Sequence, residues 1–391
     1  MALQFAVGGA LLPFISMILR DRGLDFRQIS VVFLAASSTL LVFPFLWGML
    51  ADRYLPLNRL FALLNVGACV ALTALLVQRS YVGPLLSFML FFACFTPTLT
   101  LVNALSFHFL HDPRTQFGMV RAWGSLGWII PSLPIYLWFA LAEKAGFDFV
   151  VLLAMGFALA MAALALFLPH APPGAGRRTG NGQLAYWPAM KRLMNNVNYL
   201  TILASLFLMA GSHSILLYYS PPFLEDLGVA RAWIGPIQSI GVALEIVLFQ
   251  WQPLFFGRWD YQATISVGCL ALFLRHLLFS FCANKWLLSA SYLLAGVVIV
   301  FYNIGISVLV NSLATREVRA TAQSMLVFFG SGTGPMFANW AAGRVAKAAG
   351  NDLRPVFLLA ASLAGLAGLL ILARGRKLDH AGHTAGGEVR H

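Results

Sequence analysis

Long apolar runs separated by short polar gaps dominate this chain, and most of the runs exceed what one face of a soluble amphipathic helix would hold. A helix that crosses a bilayer needs about 20 mostly apolar residues. Breaks made by charge, proline and glycine predict twelve such segments, at 2–19, 28–50, 58–77, 83–109, 118–141, 148–169, 199–220, 232–255, 262–282, 286–311, 319–343 and 353–373. The long polar interval between the sixth and seventh, "HAPPGAGRRTGNGQLAYWPAMKRLMNN", carries Arg177, Arg178, Lys191 and Arg192 and reads as a flexible cytoplasmic linker. The expected organisation is an N-terminal six-helix half (1–169), a linker (170–198), a C-terminal six-helix half (199–373) and a polar cytoplasmic tail (374–391).

Composition agrees with an all-α integral membrane protein: 60% of residues are hydrophobic, 10% are charged, and the mean hydropathy is +0.79. The net charge of +12 would point to nucleic acid in a soluble domain. Here the bases sit in gaps between apolar runs, where they set topology, so no nucleic-acid partner is expected. Their distribution favours cytoplasmic termini. Cys69, Cys94, Cys269 and Cys282 fall in apolar segments without paired spacing and read as small core residues, neither disulfides nor metal ligands. The first run lacks the basic start and small-residue cleavage site of a secretory signal, so it is expected to remain as the first span.

Polar residues inside a span must find partners or line a wet cavity, so their spacing marks the inward face. The fifth span places Arg121, Ser125, Trp128 and Ser132 at intervals of four, three and four, on one helical face. Gly124 and Gly127 beside that face suit close helix packing, and Pro131 and Pro134 are expected to bend the outer half. The eighth span places Gln238, Gly241, Glu245 and Gln252 on a shared stripe. Glu245 is the acid that lies deep within a span, where a neutral carboxylic acid is tolerated and an ionised one needs a cation or water. Polar positions recur at Gln4 and Gly8, at Thr96, Thr100, Asn103 and Ser106, at His213 and Ser214, and at Gly296, Asn303, Ser307 and Asn311, consistent with a central cavity between two halves. For a single Asn or Ser, an interhelical hydrogen bond is the competing reading. Arg275 in "LFLRHLLFS" reads as snorkelling outward or pairing within the C-terminal half, with substrate contact as the alternative. His108 and His111 read as interfacial.

Gly48-Met-Leu-Ala-Asp52-Arg53, after the second span, resembles the Gly-xxx-Asp-Arg/Lys conformational motif of the major facilitator superfamily, and "PLFFGRWD" echoes it after the eighth. Three stretches resemble that superfamily's bacterial nucleoside–proton symporters: "TPTLTLVNALSF" (96–107), "VRAWGSLGW" (120–128) and "VRATAQSM" (318–325), together with "FLR" at 273–275. The resemblance keeps its order over most of the chain. Neighbouring branches that carry sugars or aromatic acids, lactose-permease-like ones included, share the Arg-x-Trp-Gly element. It implies substrate-site roles for Arg121, Ser125, Trp128 and Glu245. The chain departs from the pattern at Val242, where these symporters carry glutamine, at Ser214 and Leu217 for seventh-helix amides, and at Ile299 and Val300 for a tenth-helix Phe-Asp pair.

The expected activity is proton-coupled import of a small polar solute, a nucleoside or related sugar-containing compound, by alternating access across the bacterial inner membrane. Glu245 is the expected proton carrier, and the expected substrate-binding set is Arg121, Ser125, Trp128, Glu245, Gln238, Asn103, His213, Ser214 and Asn303. Trp128 would offer a stacking face or pack against a neighbouring helix. The implied partners are the solute, protons and the lipid bilayer; the expected state is a monomer without metal or organic cofactor, driven by the proton gradient. Sugar or aromatic-acid symport and efflux antiport are the competing transport activities. An intramembrane enzyme is disfavoured because there is no HExxH, no intramembrane aspartate pair and no facing Ser/His arrangement. A non-transporting receptor on the same fold is the remaining alternative.

Overall fold

A computed structural model describes residues 1–78, 80–109, 113–142, 145–168, 183–256, 259–314 and 318–374. Among them the chain is helical throughout. In chain order the long helices are α1 (Ala2–Asp21), α2 (Phe26–Ala51), α3 (Leu57–Val77), α4 (Val82–Phe109), α5 (Pro113–Ile129 continued by Ser132–Leu141) and α6 (Asp148–Phe167). The second set is α7 (Val197–Asp226), α8 (Arg231–Phe256), α9 (Tyr261–Phe281), α10 (Lys285–Leu313), α11 (Arg319–Val327, Phe328–Thr333 and Gly334–Ala348 in one run) and α12 (Arg354–Arg374).

Eleven of these are long and apolar enough to cross a membrane. The exception is α11, which is long enough but carries Gly330, Gly332 and Gly334 among Ser324, Ser331 and Thr333. Its polarity follows from its place: it lies between the halves, against α2 and α7.

The two halves repeat. Within the first, α1 packs on α5 and α6, α3 on α4 and α6, and α2 on α4. Adding six to each number gives the neighbours of the second: α7 on α11 and α12, α9 on α10 and α12, and α8 on α10. The contacts between halves follow the same rule, α5 meeting α8 and α2 meeting α11, with α1 against α7 near the axis. This is the six-plus-six arrangement of a rocking transporter.

Of the predicted linker, 170–182 lies outside the described residues, as does 375–391 of the predicted tail. The linker's remainder is not extended chain: Gln183–Met194 is a helix with Leu193 buried and Lys191 and Arg192 exposed. One apolar position beneath two basic ones lets it lie along the surface of the bundle.

At the end of the bundle where α1 leads into α2 and α7 into α8, the halves are tied together. Arg20 meets Asp226 at 2.5 Å and Arg231 meets Asp21 at 3.3 Å across the halves, and Glu225, in the same half as Arg231, holds its guanidinium at 2.6 Å. The Ser16 hydroxyl donates to the Tyr218 carbonyl, and Phe33 stacks on Tyr218 with ring centroids 4.0 Å apart. Gly343 of α11 lies so close to Ser30 of α2 that a Cβ there would collide with the serine side chain. At the opposite end the halves part around a cavity of about 430 Å³, lined from both sides by Leu40, Leu99, Gln323 and Val327. The molecule is closed at the first end and hollow toward the second.

The ion pairs at the closed end are partly exposed, so each stabilises by only ~0.2–1 kcal/mol. The two that cross between the halves, Arg20–Asp226 and Arg231–Asp21, form only while that end is shut, and losing one of them shifts the open–closed ratio up to about fivefold. Asp226→Asn is therefore expected to leave the melting temperature nearly unchanged while raising maleimide labelling of a Ser16→Cys reporter. Ser16 is 1% exposed here, so labelling requires the halves to separate; unaltered labelling would show that the ion pairs do not hold this end.

Candidate functional site

The polar face predicted on the fifth span meets the one predicted on the eighth. Midway along the bundle, α5 and α8 enclose, with α7, α9 and α10, a chamber of about 310 Å³, at the lower end of the range for small-molecule sites. Arg121, Ser125 and Trp128 line it from α5, Gln238 and Glu245 from α8, His213 from α7 and Asn303 from α10. His213 and Asn303 also line the larger cavity, making the two spaces one passage.

The guanidinium and the carboxylate do not form an ion pair in this conformation. Arg121 Nη1 donates to Ser125 Oγ at 3.5 Å, and Ser125 Oγ donates to Glu245 Oε1 at 3.3 Å, so a serine hydroxyl bridges the halves. Arg121 also stands over the Phe5 ring, 4.7 Å from its centroid. Glu245 is 4% exposed. Helix α5 begins at Pro113, which puts Arg121 beyond the first turn, where the dipole effect has faded.

Glycines bring these helices close enough to form the site. The backbone of α1 runs against α5 at Gly9 and Gly127, where a Cβ would strike the Trp128 and Ala2 carbonyls. This seats the Trp128 ring beside Gly8 and Phe95, so the indole both packs on α1 and faces the chamber. On the other side, a Cβ at Gly296 of α10 would lie 2.7 Å from the Glu245 amide nitrogen. Alongside, residues Val298–Ile304 of α10 and Phe328–Thr333 of α11 wind as π-helix. Such turns recur at functional sites; here they contain Asn303 and Ser331, which line the passage.

The remaining expected residues lie elsewhere. Ser214 lines the larger cavity while its hydroxyl donates to the Gly211 carbonyl and accepts from Asn339 Nδ2 at 3.1 Å. Asn103 lines neither space. Gln4 is fully buried and donates to Thr98 Oγ1 at 2.5 Å, an internal bond of the first half. Gly48 has open space around it, and the side chains of Asp52, Arg53, His108 and Gln252, with all of His111, lie outside the described residues.

Arg275 gains importance from the structure. It is 3% exposed and lines the chamber with its guanidinium carbon 3.9 Å from the centre of the Tyr292 ring, turned inward where snorkelling would turn it out. The signal available in the sequence was that Arg275 is a second charge inside a span.

A family profile described as nucleoside H+ symporter matches residues 1–379. The chain belongs to this family. Membership makes it a multi-pass membrane transporter whose partners are a solute and protons. The nucleoside permease NupG of Escherichia coli is 25% identical over 367 residues, covering 88% of this chain and 86% of that protein. An uncharacterized transporter of Bacillus subtilis, YwbF, is 24% identical over 387 residues, covering 96% and 92%. A probable 3-phenylpropionic acid transporter of Escherichia coli is 28% identical over 274 residues, 67% of each chain. The crystal structure of the nucleoside transporter NupG superposes with a TM-score of 0.80 at 22% identity, over 95% of this chain and 96% of that one, the same fold. At the positions where the family pattern differs from this sequence, Leu217, Val242 and Ile299 present apolar side chains to the chamber, and Val300 is buried.

Proposed function

We propose that the protein imports a small ring-bearing polar solute, of nucleoside size and class, together with a proton across the bacterial cytoplasmic membrane. The hollow end is cytoplasmic, as the excess of Lys and Arg on that side supports, and the conformation is inward-facing. The observation that carries this reading is the Arg121–Ser125–Glu245 line across the halves, inside a closed-ended chamber. A rocking motion that changes the α5–α8 contact must change what Glu245 touches. Protonated, Glu245 sits neutrally in its buried place; when Arg121 reaches it, the ionised form is matched by a cation and the proton is released. Trp128 supplies a ring face, and Gln238 and Asn303 supply hydrogen bonds. The buried atoms Gln238 Nε2 and His213 Nδ1 lack partners among the described residues, and leaving such groups unmet costs ~1–3 kcal/mol each, so a polar solute gains by meeting them. The protein works as a monomer, with the proton gradient as its energy source.

The relatives' named substrates include nucleosides and, for one, an aromatic acid. The second reading, transport of an acid, is favoured by Arg275 in the chamber. In proteoliposomes acidified outside, wild type is expected to accumulate a member of a panel of nucleosides, sugars and aromatic acids, with accumulation abolished by a protonophore. Uptake that ignores the proton gradient for every member would sink the reading.

A further inference from the structure

We propose that the solute is an anion, a ring-bearing monocarboxylate or equally acidic ring compound, and that Arg275 holds its negative charge. This rests on the reading of the chamber as the solute site. Among the described residues that line it, two arginines, Arg121 and Arg275, and one imidazole, His213, stand against one carboxylate, that of Glu245. Glu245 is already engaged through Ser125 toward Arg121. Arg275 makes no ion pair among the described residues, and its Nε and Nη2 are buried without hydrogen-bond partners. What it does touch is the face of Tyr292, whose hydroxyl is tied to Ser220 Oγ at 2.7 Å. That contact holds the guanidinium over the ring and leaves the Nε–Nη2 fork unsatisfied among the described residues. A planar carboxylate matches such a fork in a bidentate pair, and a buried cation left without one is costly.

The surrounding walls set the rest of the ligand. Leu217, Val242 and Ile299 are apolar and suit a ring, not a second charge.

Charge then links solute to proton. With His213 neutral, the chamber carries one excess positive charge when Glu245 is ionised and two when Glu245 is protonated; a protonated His213 adds one more to each. The anion and the proton therefore favour each other's binding, as reciprocal linkage requires. One anion moving with one proton transfers no net charge, so transport follows the pH gradient and is indifferent to membrane potential.

The test uses matched pairs on the purified full chain: uridine against its 5′-carboxylate, and cinnamyl alcohol against cinnamate, titrated by thermal shift. A charge-assisted bidentate contact is expected to make the carboxylate bind at least about tenfold more tightly than its neutral partner. That preference is expected to vanish in Arg275→Gln and to persist in part in Arg275→Lys. Should Arg275→Gln fail to fold, the wild-type pairs decide alone. In proteoliposomes, uptake of uridine 5′-carboxylate is expected to follow the pH gradient without a current on a solid-supported membrane. Neutral partners that bind as tightly as the carboxylates, or no carboxylate binding at all, would overturn the assignment. Carboxylate binding without proton-driven uptake would uphold this inference and overturn the transport reading. Proton-driven, current-carrying uptake of uridine with no preference for its carboxylate would do the reverse.

Discussion

Glu245→Gln protein, reconstituted beside wild type, is expected to lose all accumulation against a gradient while still exchanging labelled for unlabelled solute across the vesicle wall. The amide has the shape and charge of the protonated acid, and its oxygen can still accept the Ser125 hydroxyl that sits 3.3 Å from Glu245 Oε1. The variant therefore mimics one protonation state and cannot leave it. Exchange needs only that the loaded carrier reorient; net uptake also needs the proton to depart. The ratio of internal to external solute should fall to about one, the value of an uncoupled carrier, and exchange should stay within several-fold of wild type. A Gln variant that still concentrates solute would mean that another group carries the proton.

Gly296→Leu is expected to be the most damaging change at a position that bears no chemistry. A Cβ there would sit 2.7 Å from both the Glu245 nitrogen and the Gly241 carbonyl oxygen. Both are backbone atoms of α8, so the clash is relieved only by moving a helix. Overpacking typically costs ~1–3 kcal/mol where side chains can shift, and a backbone that cannot shift puts the cost at the upper end or beyond. Solute-induced stabilisation should disappear along with transport, because α8 carries Glu245 and Gln238. Gly156 provides the control, since nothing lies within 4 Å of a Cβ added there. Gly156→Leu should melt and transport like wild type. Equal behaviour of the two variants would show that the α8–α10 approach is not what forms the chamber.

The features legible in the sequence are those that depend on local pattern. Span length and gap charge mark the helices, and four-three-four spacing puts Arg121, Ser125 and Trp128 on one face. The polar residues of α11 lower its hydropathy because that helix faces its neighbours, so its existence showed in position more than in composition. Pairings between distant residues leave no local trace. Arg20 and Asp226 lie 206 positions apart, and in the sequence each reads as an ordinary charge in a polar gap. The same limit applies to Arg275. Its burial and its stacking on Tyr292 depend on how α9 and α10 pack, whereas snorkelling is what an isolated span would favour. Ser214 and Asn103 occupy polar-face positions by periodicity, but helix rotation within the half decides what each meets.

The central claim is that solute and proton share one site through Glu245. The most direct measurement is the pH change when a transported solute is added to purified protein in weak buffer, at a pH where wild type is only partly protonated. Wild type is expected to take up protons on binding, making the medium more alkaline, and Glu245→Gln is expected to bind the solute without that change. The same proton uptake in the Gln variant, or solute binding to wild type with no proton movement at any pH, would contradict the account.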